Sequence, residues 1–127
     1  MPTSEQCTVL IPELYTSKVI ECGECSSQAL VHYNSAHPLY GGHFPGKPVT
    51  PGVCLIQTGT ELLQEAVGFP LRLCEARQIK FLQMHTPEDS LRFVLSWSEN
   101  PPRLHGRITI FQDDCCLAKI DATFKRT

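Results

Sequence analysis

The sequence lacks several features that would assign a protein to a class at once. Its apolar runs fall short of the ~20 residues that a membrane-spanning helix needs, and its N-terminus shows no basic region followed by an apolar stretch, so we expect no secretory signal. There is no basic excess either: 11 Lys and Arg stand against 13 Asp and Glu, which argues against a nucleic-acid or membrane-surface protein. We therefore expect one cytoplasmic domain over residues 1–127.

The seven cysteines show no pairing pattern. An odd number without a signal peptide argues for free thiols in a reducing compartment. Cys22 and Cys25 form a CxxC pair, but no second pair or nearby histidine completes a zinc set, and no helix follows to lower a thiol pKa. Cys115 and Cys116 lie in a predicted strand, where packing is their simplest role. We therefore expect free structural thiols and no metal site.

Hydrophobic periodicity predicts two strands, one helix and then four strands. Residues 17–24 and 25–33 are extended on either side of a turn at Gly23, and residues 53–68 repeat apolar side chains at helical spacing. The later strands comprise residues 73–82, then Phe93, Leu95 and Trp97, then Ile108 and Ile110, and finally Ile120, Ala122 and Phe124. The helix is apolar around most of its girth, so we expect an α+β fold in which an antiparallel sheet of five to six strands wraps around it.

A loop rich in glycine and proline leads into this helix. Residues 34–52 contain four Gly and four Pro, which stiffen the backbone and permit sharp bends or the close approach of a ligand. The free N–H groups of Gly52 and Val53 and the helix dipole favour negative charge before the helix. A base beside such donors is what proton abstraction next to a carbonyl requires, and His43 lies on this loop.

A lone loop histidine is nevertheless more often a surface or hydrogen-bonded residue than a catalyst. We keep that interpretation for the other four histidines, which lack such a setting: His32, His37, His85 and His105.

The motif HFPGxPVxPGV at residues 43–53 resembles the signature of the β-hydroxyacyl-acyl carrier protein dehydratases of fatty-acid synthesis. The resemblance extends more loosely to the PLYGG sequence before it, to the helix and to a PED turn at residues 87–89. It implies the hotdog fold, with a sheet around a central helix. It also implies a reaction that eliminates water from a 3-hydroxyacyl thioester, without a metal or an organic cofactor.

The resemblance assigns roles to individual motif residues. His43 would be the general base that removes the α-proton, and the backbone carbonyl of Val49 would hold its other ring nitrogen. The N–H of Gly52 would bind the thioester carbonyl as enolate character builds. The remaining residues assigned to the substrate site are Phe44, Gly46 and Val53.

One position departs from the family pattern. The family has Glu or Asp fourteen positions after the histidine, on the helix of the neighbouring subunit, and this sequence has Gln57. An amide cannot transfer a proton at neutral pH. Three alternatives are open. In the first, His43 makes both proton transfers while Gln57 orients the hydroxyl group. In the second, Glu61 replaces the acid from one turn further along the helix, and in the third the chain is inactive. For Glu61 and Glu65 we expect a solvated or interfacial stripe.

Three functions follow from these alternatives. The first is a 3-hydroxyacyl-acyl carrier protein dehydratase with His43 and Gln57 as its catalytic residues. The second is an inactive dehydratase-like protein that binds acyl thioesters or pairs with an active homologue. The third and weakest is a thioesterase, which would need a carboxylate near the start of the helix.

The resemblance also implies the partners. The acidic carrier protein, with its phosphopantetheine-linked acyl chain, calls for a local basic patch, for which the candidates are Lys47, Arg72, Arg77 and Lys80. Burial of the helix through subunit pairing implies a homodimer or higher oligomer, or a hetero-oligomer with a homologue.

Overall fold

The computed structural model describes residues 10–42 and 48–127. Within these ranges the chain forms six β-strands, one α-helix and a short 3₁₀ helix. In chain order they are β1 (Tyr15–Cys22), β2 (Ser26–Tyr33), the 3₁₀ helix (Pro38–Gly42), α1 (Gly52–Val67), β3 (Leu71–Phe81), β4 (Leu91–Asn100), β5 (Arg103–Gln112) and β6 (Cys115–Arg126). The predicted order is confirmed, and the predicted bounds of β1, β2, α1 and β3 agree to within about two residues.

All the described strands belong to one antiparallel sheet in the order β1-β2-β4-β5-β6-β3. Successive side chains of a strand point to opposite faces, so alternate apolar residues line the face that packs on α1. The fully buried ones include Val31, Phe93, Ile110 and Phe124. The sheet therefore provides the core that the periodicity predicts, and β1 and β3 are its edges.

The helix packs closely against the sheet at its centre. A Cβ on Gly59 would lie 2.8 Å from Cδ1 of Ile108, so a larger residue there would require the Ile108 side chain on β5 to shift. The helix ends at Gly68, whose φ of 87° is in the left-handed region and whose N–H donates to the carbonyl of Gln64. The prediction of a buried helix is confirmed for most of its length, whereas Val53 in the first turn is 71% exposed.

The expectation of structural thiols is only partly correct. All the described cysteines are free, as predicted, but only Cys54 is buried. Cys115 is exposed because β6 begins there, directly after the turn at residues 113–114, so the packing role expected for it is wrong.

Among the described residues, no helix is long and apolar enough to cross a membrane.

Candidate active site

The beginning of α1 presents two backbone donors without acceptors. The carbonyl of Pro51 accepts the N–H groups of Cys54 and Leu55, at 2.9 and 3.3 Å, which leaves those of Gly52 and Val53 with no partner among the described residues. The first turn contains no acidic residue, so nothing there offsets the positive end of the helix dipole. This helix end is therefore suited to an oxygen that gains negative charge.

Gly52 is in close contact with the end of a strand. The ring of Phe81, the last residue of β3, lies against it, and a Cβ on Gly52 would be 2.8 Å from two ring carbons. The end of β3 therefore closes one side of the helix N-terminus.

The structure describes only part of the predicted site. It brings Gly52, Val53 and Gln57 to the first turns of α1, and Val49 is half-buried in the segment that leads into the helix. The other predicted residues lie outside the described residues: His43, Phe44 and Gly46, with Lys47 of the predicted basic patch. Their roles stay predictions.

The side chain of Gln57 has a defined orientation. Its Nε2 donates to Oε2 of Glu61 at 2.9 Å. An ionised carboxylate only accepts hydrogen bonds, so the amide must turn its NH₂ group toward Glu61. The oxygen of Gln57 is then left as an acceptor, about 7.5 Å along the helix axis from Gly52. This arrangement suits a residue that accepts a hydrogen bond from a hydroxyl group.

The prediction of a solvated or interfacial Glu61 is wrong, because residues of the same chain bury it. This side chain is 3% exposed, and its carboxylate also accepts the N–H of Leu10 at 2.9 Å and the hydroxyl of Tyr15 at 2.6 Å. Burial and the neighbouring Glu61 raise the pKa of Tyr15, so this hydroxyl stays a donor. Residues 10–15 fold over this face of the helix, a contact across 46 to 51 positions that helical periodicity cannot show. Glu65, by contrast, is exposed as expected.

Glu61 is also unsuited to replace the missing acid. The pocket beside it, lined by Leu14, Tyr15, Gln57 and Thr58, has a volume of only about 10 Å³. Such a space holds one water molecule at most, so an acyl chain has no access to the carboxylate within this chain. Glu61 therefore contributes to the site only through its hydrogen bond with Gln57.

A second buried network was missed by sequence reasoning. The hydroxyl of Thr50 lies 2.9 Å from that of Tyr40 and 2.7 Å from Nδ1 of His85, whose Nε2 lies 2.7 Å from the carbonyl of Asp89. His85 is hydrogen-bonded as expected, but it is 1% exposed and reaches the segment before α1. The only available signal was its place just before the turn at residues 87–89.

His85 makes stability depend on pH. Burial lowers the pKa of His85 below its usual value of 6.5. As pH falls through this value the unfolded chain binds more protons than the folded chain, so the free energy of unfolding decreases, by at most about 1.4 kcal/mol per pH unit. Partial burial and the charge of Glu61 raise the pKa of Glu65 above 4.5, which acts in the opposite sense, because protonation of this group adds stability as pH falls.

We therefore expect the urea midpoint to fall between about pH 7.5 and about pH 5.5. In His85→Gln, which has no titrating ring at this position, this decrease should be smaller. An equal decrease in the two proteins would show that other groups cause it.

Among the described residues, no group of three or more His, Cys, Asp and Glu side chains is placed to hold a metal ion.

Comparisons with known proteins agree with this architecture. The sequence model of the ApeI-like family, described as ApeI dehydratase, matches residues 20–119. The chain is 34% identical over 91 residues to 3-hydroxyacyl-acyl-carrier-protein dehydratase FabZ of Wolbachia pipientis wMel, a match that covers 63% of this chain and 62% of that protein. A FabZ of Thermus thermophilus is 38% identical over 61 residues, 48% of this chain and 41% of that protein. The chain thus spans less than two thirds of the length of these relatives.

Solved structures show the same fold at low identity. The dehydratase heterocomplex ApeI:P of Xenorhabdus doucetiae superposes with a TM-score of 0.71 and 18% identity, covering 86% of this chain and 95% of that one. A hypothetical thioesterase with coenzyme A from Streptococcus pneumoniae TIGR4 gives a TM-score of 0.66 and 11% identity, covering 88% and 86%. The expected hotdog fold is confirmed, and the family model covers most of the sequence. The chain therefore belongs to the ApeI-like dehydratase family.

Proposed function

We propose that this protein eliminates water from a 3-hydroxyacyl thioester on an acyl carrier protein and forms the trans-2-enoyl thioester. The observation that carries the proposal is the beginning of α1, where the N–H groups of Gly52 and Val53 have no partner among the described residues and no carboxylate of the first turn opposes them. In a dehydratase family, such donors suit the oxygen of a thioester that is becoming an enolate.

The reaction balances with one base. His43 takes the α-proton, the electron pair enters the thioester as an enolate, and its oxygen is stabilised by the N–H of Gly52. As the carbon–oxygen bond breaks, the His43 imidazolium returns the proton to the departing hydroxide, which leaves as water. The oxygen of Gln57, which the resemblance assigns to the helix of the neighbouring subunit, accepts a hydrogen bond from the 3-hydroxyl group and holds it toward His43. Glu61 keeps that oxygen free because it binds the NH₂ group.

Opposed cations on the outer face of the sheet support an acidic carrier protein as the partner. Residues that pair across adjacent strands share a face. Lys80 of β3 is opposite Lys119 of β6, and Lys125 of β6 lies between Arg72 of β3 and Arg103 of β5. None of them has an ion-pair partner among the described residues. Because opposed like charges destabilise a sheet, an anionic partner would relieve this repulsion.

The pair nearer the site is the better docking point. Lys80 directly precedes Phe81, whose ring packs on Gly52. The other group of cations, which contains Arg72, Lys125 and Arg103, is further from the site: Lys125 lies six residues, or about 20 Å, along β6 from Lys119. Of the other predicted cations, Arg77 lies at a register shift of β3 and Lys47 is outside the described residues.

Reversal of both near charges, Lys80→Glu with Lys119→Glu, should raise KM for the carrier-bound substrate about 10-fold or more at low salt. KM for the same acyl group on free pantetheine should not change, since that substrate has no acidic surface. The matched control is Arg72→Glu with Lys125→Glu, which should have a smaller effect. Equal changes in KM for both substrates would count against docking at this pair.

We also propose that a second subunit pairs with the free edge of β3. An exposed edge strand offers unpaired backbone groups. Large exposed apolar side chains gather at the same end of the molecule, on either side of the Gly52–Phe81 contact: Val53, Phe81, Leu82 and Met84. A partner here would cover them and close the site from outside.

The described cysteines are free, which suits a protein of the reducing cytoplasm.

The test is conversion of a 3-hydroxyacyl-carrier thioester, followed by enoyl absorbance, with the molecular mass measured in the same preparation. Turnover by a protein that forms a dimer or larger assembly is the expected result. No conversion at high enzyme concentration would contradict the proposal.

The second candidate is an inactive or half-site partner of an active homologue, and Gln57 is the observation that favours it. The ApeI:P structure is described as a dehydratase heterocomplex. If the purified chain alone shows no turnover, but turnover appears when a homologue is added, this candidate replaces the first. The thioesterase alternative is weaker, because the first turn of α1 contains no acidic residue.

A further inference from the structure

We propose that Tyr40, Thr50 and His85 form a hydrogen-bonded clamp that fixes the two ends of the catalytic loop, and that they act as positioning residues for dehydration. The clamp rests on the proposed function for its catalytic consequence. Its geometry rests on described residues alone. Tyr40 lies three positions before His43 and Thr50 lies two positions before Gly52.

The donors and acceptors of the clamp allow only one direction for its hydrogen bonds. The carbonyl of Asp89 can only accept, so Nε2 of His85 carries the proton at this 2.7 Å contact. Nδ1 of the neutral ring is then an acceptor, and the Thr50 hydroxyl donates to it at 2.7 Å. The same Thr50 oxygen therefore accepts the hydroxyl of Tyr40 at 2.9 Å. Each bond determines the next, from the carbonyl of Asp89 to Tyr40.

Burial makes each of these bonds hard to replace. Tyr40, Thr50 and His85 are 5%, 3% and 1% exposed, so water cannot substitute for a lost partner. The ring of Tyr33 packs on that of His85, with centroids 5.2 Å apart, and helps to keep the imidazole in place. A buried chain of this kind holds its members in one arrangement.

The clamp also connects separate elements. Besides the side-chain bond, the N–H of Thr50 donates to the carbonyl of His85 at 2.9 Å. His85 lies between β3 and β4, whereas Tyr40 belongs to the 3₁₀ helix before the motif. The loop therefore begins and ends at points that are joined to each other and to the sheet, and Thr50 leads directly into the donors of α1.

A shift of about 1 Å in a reacting group can lower a rate about 100-fold, so loss of the clamp should affect the chemical step. Thr50→Val keeps the shape of the side chain but removes its hydroxyl. We expect kcat to fall about 10-fold or more with little change in KM. Thr50→Ser keeps the hydroxyl and should remain within about 3-fold of the wild type. Tyr40→Phe removes only the hydrogen bond between Tyr40 and Thr50, and it replaces Thr50→Val as the test variant if Thr50→Val does not fold.

The nitrogen-15 shifts of His85 test the clamp without any substrate. The wild type should show a protonated Nε2 and a hydrogen-bonded, unprotonated Nδ1, and Thr50→Val should move the Nδ1 resonance while Thr50→Ser should not. A His85 ring with its proton on Nδ1 would overturn the clamp. So would normal kcat in both Thr50→Val and Tyr40→Phe, or equal losses in Thr50→Ser and Thr50→Val. A wild type without turnover but with the expected His85 shifts would refute the proposed function and leave the clamp standing.

Discussion

Replacement of His43 by alanine is expected to lower kcat for dehydration about 10²–10⁴-fold, because the proposed reaction assigns removal of the α-proton to this residue. The expected loss lies toward the upper part of that range. Gln57 cannot take a proton, and Glu61 is buried behind it in a pocket of about 10 Å³. Single-turnover kinetics with excess enzyme measure the chemical step directly.

The matched control is His32→Ala. His32 is an exposed histidine whose ring bonds only the hydroxyl of Ser90 among the described residues, and its loss should leave kcat unchanged. The free energies of unfolding of both variants should match that of the wild type. Wild-type kcat in His43→Ala would show that another group removes the proton.

Gln57→Glu, the substitution that restores the usual acid of the family, is expected to damage this protein. It would place a second carboxylate where Nε2 of Gln57 now lies 2.9 Å from Oε2 of Glu61. Glu61 is buried and already accepts bonds from Leu10 and Tyr15, so it cannot turn away. We expect the free energy of unfolding to fall by about 1–3 kcal/mol and turnover to fall with it.

The double variant Gln57→Glu with Glu61→Gln provides the matched control. It exchanges donor and acceptor within the pair, so the amide of residue 61 donates to a carboxylate, and the hydrogen bond that Oε2 of Glu61 accepts from the N–H of Leu10 is lost as it is in Glu61→Gln alone. It should be more stable than Gln57→Glu alone, with a coupling energy of about 0.5–3 kcal/mol. Urea unfolding of the wild type, both single variants and the double variant measures this value. Additive changes, or a Gln57→Glu variant that is stable and faster, would show that the pair is not coupled.

Much of the fold follows from local patterns. Helical spacing placed α1 to within about one residue of Gly52–Val67, since burial on a helix repeats with the helical period. Alternation of apolar side chains placed the strands, and the turn at Gly23 separates β1 from β2. Proline and glycine before the helix also indicated the free N–H groups of Gly52 and Val53, which depend only on the backbone of the first turn.

The partners of individual side chains did not follow from those patterns. The same spacing that placed Glu61 on a polar stripe made it appear solvated, and it is buried because Tyr15, 46 positions earlier, lies over it. His85 looked ordinary, yet it meets Thr50 across 35 positions. The opposition of Lys80 and Lys119 depends on the pairing of β3 with β6, which lies outside chain order.

There is a physical reason why local patterns predicted the elements but not the partners of individual side chains. Periodicity and turn chemistry act within a few residues, so the amino-acid sequence by itself determined the helix and the strands, the buried face of the inner strands and the donors at the beginning of α1. Hydrogen bonds and charges between distant residues depend on strand order and on which segment covers the helix. Only the tertiary structure therefore decided that Glu61 holds Gln57, that His85 holds Thr50, and that cations oppose one another across β3 and β6.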